Sequence, residues 1–179
     1  MKYLVLFWIS FISVSNAQEK YWTRSGILIF EASMPAFEDV RASNENVTAI
    51  LNTEDGTFAV LALVKGFRFK NALMEEHFNE SYIESNLYPK AIFKGKLLDF
   101  NLQELNKTYT LSGTLELHGQ TNIVSVKMKI NQEKQILNCK GIFTVNAADY
   151  NIEIPKIVRN KVNDKVTIDI EFQLMKKSD

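Results

Sequence analysis

The chain has 179 residues, 46% of them hydrophobic, and its 21 Lys and Arg balance its 21 Asp and Glu. Charges of both signs are scattered along it, which gives nucleic acid no concentrated basic patch to bind. Cys139 is its single cysteine, so no intrachain disulfide is available and stability must come from packing.

Lys2 precedes an almost unbroken apolar run over residues 3–14, followed by Ser15-Asn16-Ala17. A charged start, an apolar middle and a small-residue end make a secretory signal, and the run is too short to span a bilayer. The expectation is cleavage after Ala17 (residues 1–17 removed) and a periplasmic or secreted protein. Without Lys2 the balance is 20 positive against 21 negative, a net charge of −1. Residue 18 is Gln, not a cysteine that could carry a lipid. Residues 18–179 form one domain of roughly 160 residues with no Pro/Gly/Ser-rich linker.

Residues 21–22 and 25–33 read as a first strand and 47–51 as a second, closed by the turn signal Glu54-Asp55-Gly56. Residues 57–69 read as one continuous third strand, apolar on both parities and so covered in part on both faces. The alternation then stops. In residues 74–95 Met74, Phe78 and Tyr82 recur every fourth position behind Asn71, a ready N-cap, which predicts a short helical crossover. Tyr88 precedes Pro89 and is therefore extended, and a strand starts at 91–93.

Beyond the crossover each strand separates cleanly into two parities. Tyr109, Leu111, Gly113, Leu115 and Leu117 face inward, as do Val124, Val126, Met128 and Ile130. Leu137, Cys139, Gly141, Phe143 and Val145 match them, and Val166, Ile168, Ile170, Phe172 and Leu174 complete the set. Residues 109–117 span roughly 27 Å, so a barrel tilted by about 40° has an interior around 20 Å deep. About eight antiparallel strands with one helical excursion predict an all-β protein, a closed up-and-down barrel without free edges. A two-sheet sandwich is the alternative, which periodicity alone does not exclude. Gly95, Gly113 and Gly141 fall on inward parities, which removes side-chain volume and favours a cavity, or else marks bends in the sheet.

Catalytic patterns are absent. His77 and His118 lie in separate elements without metal-ligand spacing, no nucleophile elbow or phosphate loop occurs, and Cys139 shares a parity with Leu137 and Phe143, as a buried, inert thiol does. The sequence therefore predicts no enzyme, no metal and no cofactor. His118, on the outward parity before Gly119, is expected to make a turn hydrogen bond at a strand end. His77 either meets a ligand headgroup at a barrel mouth or satisfies a buried carbonyl, the second being favoured. The sequons at Asn46, Asn79 and Asn106 mark surface loops only in a glycosylating host.

Phe67-Arg68-Phe69, MEEHF at 74–78, YIESNLYPKAIFKG at 82–95, LSGTLELHGQT at 111–121 and GIFTVNAADYNIEIPKIV at 141–158 together resemble the YceI-like family of exported lipid-binding proteins. The likeness keeps order and spacing over roughly residues 25–174. It implies an extended lipocalin-like barrel whose apolar interior takes a polyisoprenoid or other long-chain lipid, an isoprenoid quinone or a fatty-acid-like chain included. Where the family usually shows Arg-Ser/Ala-Asp-Phe-Gly-Ile, this chain has Ala147-Ala148-Asp149-Tyr150-Asn151-Ile152. Alternation and resemblance together nominate a tunnel lining of Phe67, Phe69, Phe93, Leu111, Leu115, Leu117, Val126, Met128, Phe143, Val145, Ile168, Ile170 and Phe172, with His77 and Tyr82 for headgroup contacts. A filled barrel acting as a structural or interaction module of the envelope is the competing reading. Homodimerisation and a transient envelope contact are left open.

Overall fold

The computed structural model describes residues 19–34, 39–156, 158 and 161–177, so the expected signal segment lies outside the described residues. Among the described residues nine antiparallel strands follow in chain order: β1 (Lys20–Ser33), β2 (Arg41–Asn52), β3 (Thr57–Leu63), β4 (Arg68–Phe69), β5 (Lys90–Leu97), β6 (Lys107–Leu117), β7 (Gln120–Glu133), β8 (Ile136–Asn146) and β9 (Val162–Lys176). Eight of them run β1-β9-β8-β7-β6-β5-β3-β2, and β2 pairs back onto β1, closing an up-and-down barrel to which β4 adds a short ninth strand along β2. Closure leaves the long strands without a free edge. The barrel, not the sandwich, is the architecture.

The third strand is the main departure from the sequence reading. It is broken by a 3₁₀ turn, Val64–Gly66, so that β3 pairs with residues 48–51 of β2 while β4 pairs with Ala42 and Ser43 further along. Buried Asn44 bridges the gap. Its Nδ2 donates to the Leu63 carbonyl at 2.9 Å, its Oδ1 accepts from the Asn46 N–H at 2.9 Å, and Gly66 leaves the room, since a Cβ there would lie 2.6 Å from Asn44 Nδ2.

The crossover is helical, as its spacing predicts. Helix α1 (Ala72–His77) is capped by Asn71, whose side chain accepts from the Leu73 N–H, and it runs into a wider π turn, Phe78–Tyr82. Glu75 ties it to the wall: its carboxylate accepts from the Phe69 N–H and from Arg68 Nη1, both at 3.1 Å.

Inside the barrel the two halves differ. One half is solid, filled by Val47, Leu51, Phe58, Leu97, Tyr109, Leu111, Met128, Ile130, Leu137, Cys139, Phe172 and Leu174, all buried. The inward glycines do not open it. A Cβ on Gly95 would collide with the Phe93 ring and one on Gly141 with Val126, while Gly113 lets the β5 backbone approach closely. Phe172 lies over Gly26 of the adjacent strand β1 and packs on Phe58 of β3 with ring centroids 5.9 Å apart. The space at each of these glycines is thus already occupied by a neighbouring side chain or by backbone, and the glycine argument for a cavity at these positions fails.

Candidate functional site

The other half of the barrel is hollow. A partly enclosed cavity of about 400 Å³ opens there, at the end where β6 and β8 finish and β9 begins. Strand residues Leu28, Phe30, Leu115, Leu117, Phe143, Val145, Val166 and Ile168 make its wall, the crossover contributes Met74, Phe78, Tyr82 and Ile83, and the segment after β8 contributes Ala147, Tyr150, Ile152, Ile154 and Val158. Apart from His77, Tyr82, Tyr150, Lys161 and Asn163, every lining side chain is hydrocarbon or thioether.

Local sequence explains why this half stays open. The four-residue spacing of Met74, Phe78 and Tyr82 puts all three on the face of the helical segment turned to the barrel, and Phe78 anchors it there. Its ring lies 5.2 Å from Phe30, 6.0 Å from Phe67 and 5.2 Å from Phe69. These rings hold the crossover over the barrel end as a roof resting on its rim. His77 and Lys161 are the exposed members of the lining and stand at the mouth.

The opposite side of the roof is fastened by His118. It lies with Gly119 in the two-residue β6–β7 turn, both at positive φ (49° and 72°), where the primed hairpin turn requires that conformation. Strand alternation has ended at that point, so the side chain turns inward and is buried, contrary to its outward assignment. Nδ1 meets the Tyr150 carbonyl at 2.9 Å, Nε2 meets Glu84 Oε2 at 3.0 Å, and the ring stands edge-on to Tyr88 at 4.4 Å. One imidazole therefore joins the crossover, the β6–β7 turn and the 3₁₀ turn Ala147–Tyr150. Asn151 ends that 3₁₀ turn at φ 54°, a left-handed position that Asn accepts in place of glycine.

Of the nominated lining, Phe67, Phe69, Leu115, Leu117, Phe143, Val145 and Ile168 border the cavity, as do His77 and Tyr82. Phe93, Leu111, Val126, Met128, Ile170 and Phe172 lie instead in the packed core. The cavity is thus not a tunnel along the full barrel. Parity assigns a residue to the inside of the barrel but says nothing about its height, and large side chains fill the waist. His77 is exposed, which does not fit the favoured pairing with a buried carbonyl. The lining from residues 147–158 was missed because irregular backbone carries no period, whereas the shared face of Met74, Phe78 and Tyr82 was readable from their spacing.

Among the described residues no three His, Cys, Asp or Glu side chains come together to hold a metal ion, and burial of Cys139 pushes the pKa of its thiol up to about 12.

The YceI-like domain family matches residues 20–174 of the chain. No curated protein matches it. Among solved structures it is similar to a polyisoprenoid binding domain from Saccharophagus degradans implicated in plant cell wall breakdown (14% identity over 89% of this chain and 99% of that one, TM-score 0.73). It is also similar to Burkholderia cenocepacia BcnA (12% identity, 83% and 95%, TM-score 0.65) and to the Campylobacter jejuni YCEI protein (12%, 82% and 90%, TM-score 0.66). At these identities the likeness is one of fold.

Proposed function

Because the chain belongs to the YceI-like family, we propose that it is an exported binding protein holding one long apolar or amphiphilic lipid in the hollow half of its barrel, for carriage or storage and without catalysis. The observation that carries this reading is the apolar cavity, about 400 Å³, lined almost wholly by hydrocarbon. A dry, shaped cavity with few polar groups suits a lipid chain. The polyisoprenoid-binding domain with the same fold supports the isoprenoid class, with a quinone tail or a fatty-acid-like chain as close chemical equivalents.

Size sets what fits. At about 30 Å³ for each water-sized group, 400 Å³ holds roughly a dozen methylenes, and a longer chain leaves its remainder at the mouth between His77 and Lys161. A dozen methylenes at ~0.8 kcal/mol each give roughly 10 kcal/mol gross. Immobilisation costs several kcal/mol of that, which brings affinity towards the micromolar range.

Binding is tested by loading delipidated protein with the fluorescent apolar probe N-phenyl-1-naphthylamine and displacing it with long-chain lipids. Saturable one-to-one uptake and displacement support the carrier. A folded, delipidated protein that takes up no probe favours the filled structural module. Export is tested by N-terminal sequencing of protein from its host, which should begin at Gln18 or within a residue or two. Met1 retained on cytosolic protein contradicts it.

A further inference from the structure

Five strands carry the cavity wall down to its floor. The deepest lining residue on each is Leu28 of β1, Ala91 of β5, Leu115 of β6, Phe143 of β8 and Ile168 of β9. The next position of the same parity towards the solid half is, in turn, Gly26, Phe93, Gly113, Gly141 and Ile170. Three of the five are glycines, so at that level these strands send only Phe93 and Ile170 into the barrel as side chains. The floor is built by hydrocarbon laid over the glycines. The Phe93 ring turns along its own strand to cover Gly95, 2.5 Å from where a Cβ would stand, and Gly95 is the cross-strand partner of Gly113. Val126 Cγ1 and Ile170 Cδ1 stand 2.8 Å and 3.6 Å from the same point on Gly141, and the Phe172 ring covers Gly26. All four of these side chains are buried.

A chain entering tail first past His77 and Lys161, exposed at the mouth, meets hydrocarbon until it reaches this floor. Each methylene up to that point leaves water and contributes to binding. Any further one stays outside and contributes little. Resting on the lipid-carrier reading above, we propose that Phe93 and Ile170 determine the length of chain the cavity selects, stopping an apolar tail at about a dozen carbons. Phe93 has the larger part, because its ring lies over the stretch where β5 and β6 bring two glycines together. The limit is held by side chains and not by the wall, so removing their volume lengthens the cavity into the glycine level, whereas truncation deeper in the solid half leaves the floor in place.

The test is a series of saturated fatty acids, octanoate to octadecanoate, each below its critical micelle concentration, as competitors of N-phenyl-1-naphthylamine. On wild-type protein Kd should tighten roughly fourfold per methylene up to about dodecanoate and then level off. Phe93→Ala frees roughly 100 Å³, room for about three methylenes at about 30 Å³ each, so its levelling point should move to longer chains by that number. Phe93→Leu, a milder change that keeps the test open should the alanine variant not fold, should move it by about one methylene. Leu137→Ala, a truncation in the solid half, should level off at the wild-type length. Affinity that climbs through octadecanoate on the wild type overturns the stop, as does a folded Phe93 variant that levels off at the wild-type length. A shift in Leu137→Ala equal to that in Phe93→Ala assigns the effect to general loosening and also overturns it. In each of these outcomes the carrier reading stands. Failure of the wild type to bind the probe and every acid overturns the carrier reading itself.

Discussion

Phe143 is half-buried on the wall of the cavity, whereas Phe172, inward on the neighbouring strand, is fully buried in the solid half against Phe58. Replacing either by Trp adds three heavy atoms. At Phe143 they project into space that the proposed lipid occupies, displacing two to three methylenes at ~0.8 kcal/mol each. That is about 2 kcal/mol, or roughly 30-fold in Kd, with little change in the stability of the empty protein. At Phe172 the same atoms meet the Gly26 backbone and the Phe58 ring, and overpacking costs typically 1–3 kcal/mol, which for a chain of this size lowers Tm by about 2–4 °C per kcal/mol. The assay pairs thermal melting of lipid-free protein with displacement of N-phenyl-1-naphthylamine. Lys127→Ala and Glu171→Ala, on the outer face, serve as controls and should shift stability by no more than about 0.5 kcal/mol. If Phe143→Trp lowers Tm and leaves binding intact, Phe143 belongs to packed core and the division of the barrel into solid and hollow halves is refuted. Loss of binding in the two outer variants would invert the assignment of faces.

Asn44→Ala leaves the Leu63 carbonyl unpaired at the break between β3 and β4 and should cost about 1–3 kcal/mol, seen as a lower denaturant midpoint; an unchanged midpoint would remove Asn44 from its bridging role. His118→Ala cuts the bonds to Glu84 and to the Tyr150 carbonyl, so amide exchange over residues 84–88 and 147–151 should speed up more than in the solid half, and uniform exchange would contradict the fastening of the roof. Burial holds the Cys139 thiol protonated up to about 12 from an ordinary 9.0. The unfolded chain alone releases this proton between those values, so this group's contribution to stability is intact below about pH 9 and is lost as pH rises towards 12. The native thiol should accordingly resist alkylation at pH 8 until the protein is unfolded, and rapid native labelling would show that it is not enclosed.

The strands and their inward faces were legible because a half-buried strand must alternate, and residues 109–117, 124–130, 137–145 and 166–174 do so without interruption. The helical crossover was legible from Met74, Phe78 and Tyr82 and from the Asn71 cap. The break at residues 64–66 was not, because the residue that compensates it, Asn44, lies some twenty positions earlier and acts through a side-chain bond that no local pattern encodes. Height within the barrel was equally hidden. Leu111 and Leu115 share a parity and both are buried in the core, yet only Leu115 also borders the cavity. The β6 alternation, carried one residue further to His118, points that side chain outward, but the turn at His118 and Gly119 breaks the period and buries it. The burial of Tyr150 has no signature in the sequence, because it lies in the irregular turn from Ala147, which carries no period.

The most direct test of the account is native mass spectrometry of the protein purified gently from its own host, before and after organic extraction. The account predicts one extractable lipid per chain, lost from Phe143→Trp and retained by Lys127→Ala, and identification of that lipid as an isoprenoid or similar long-chain amphiphile. Wild-type protein that arrives with no added mass, and gains none when offered such lipids, would contradict it.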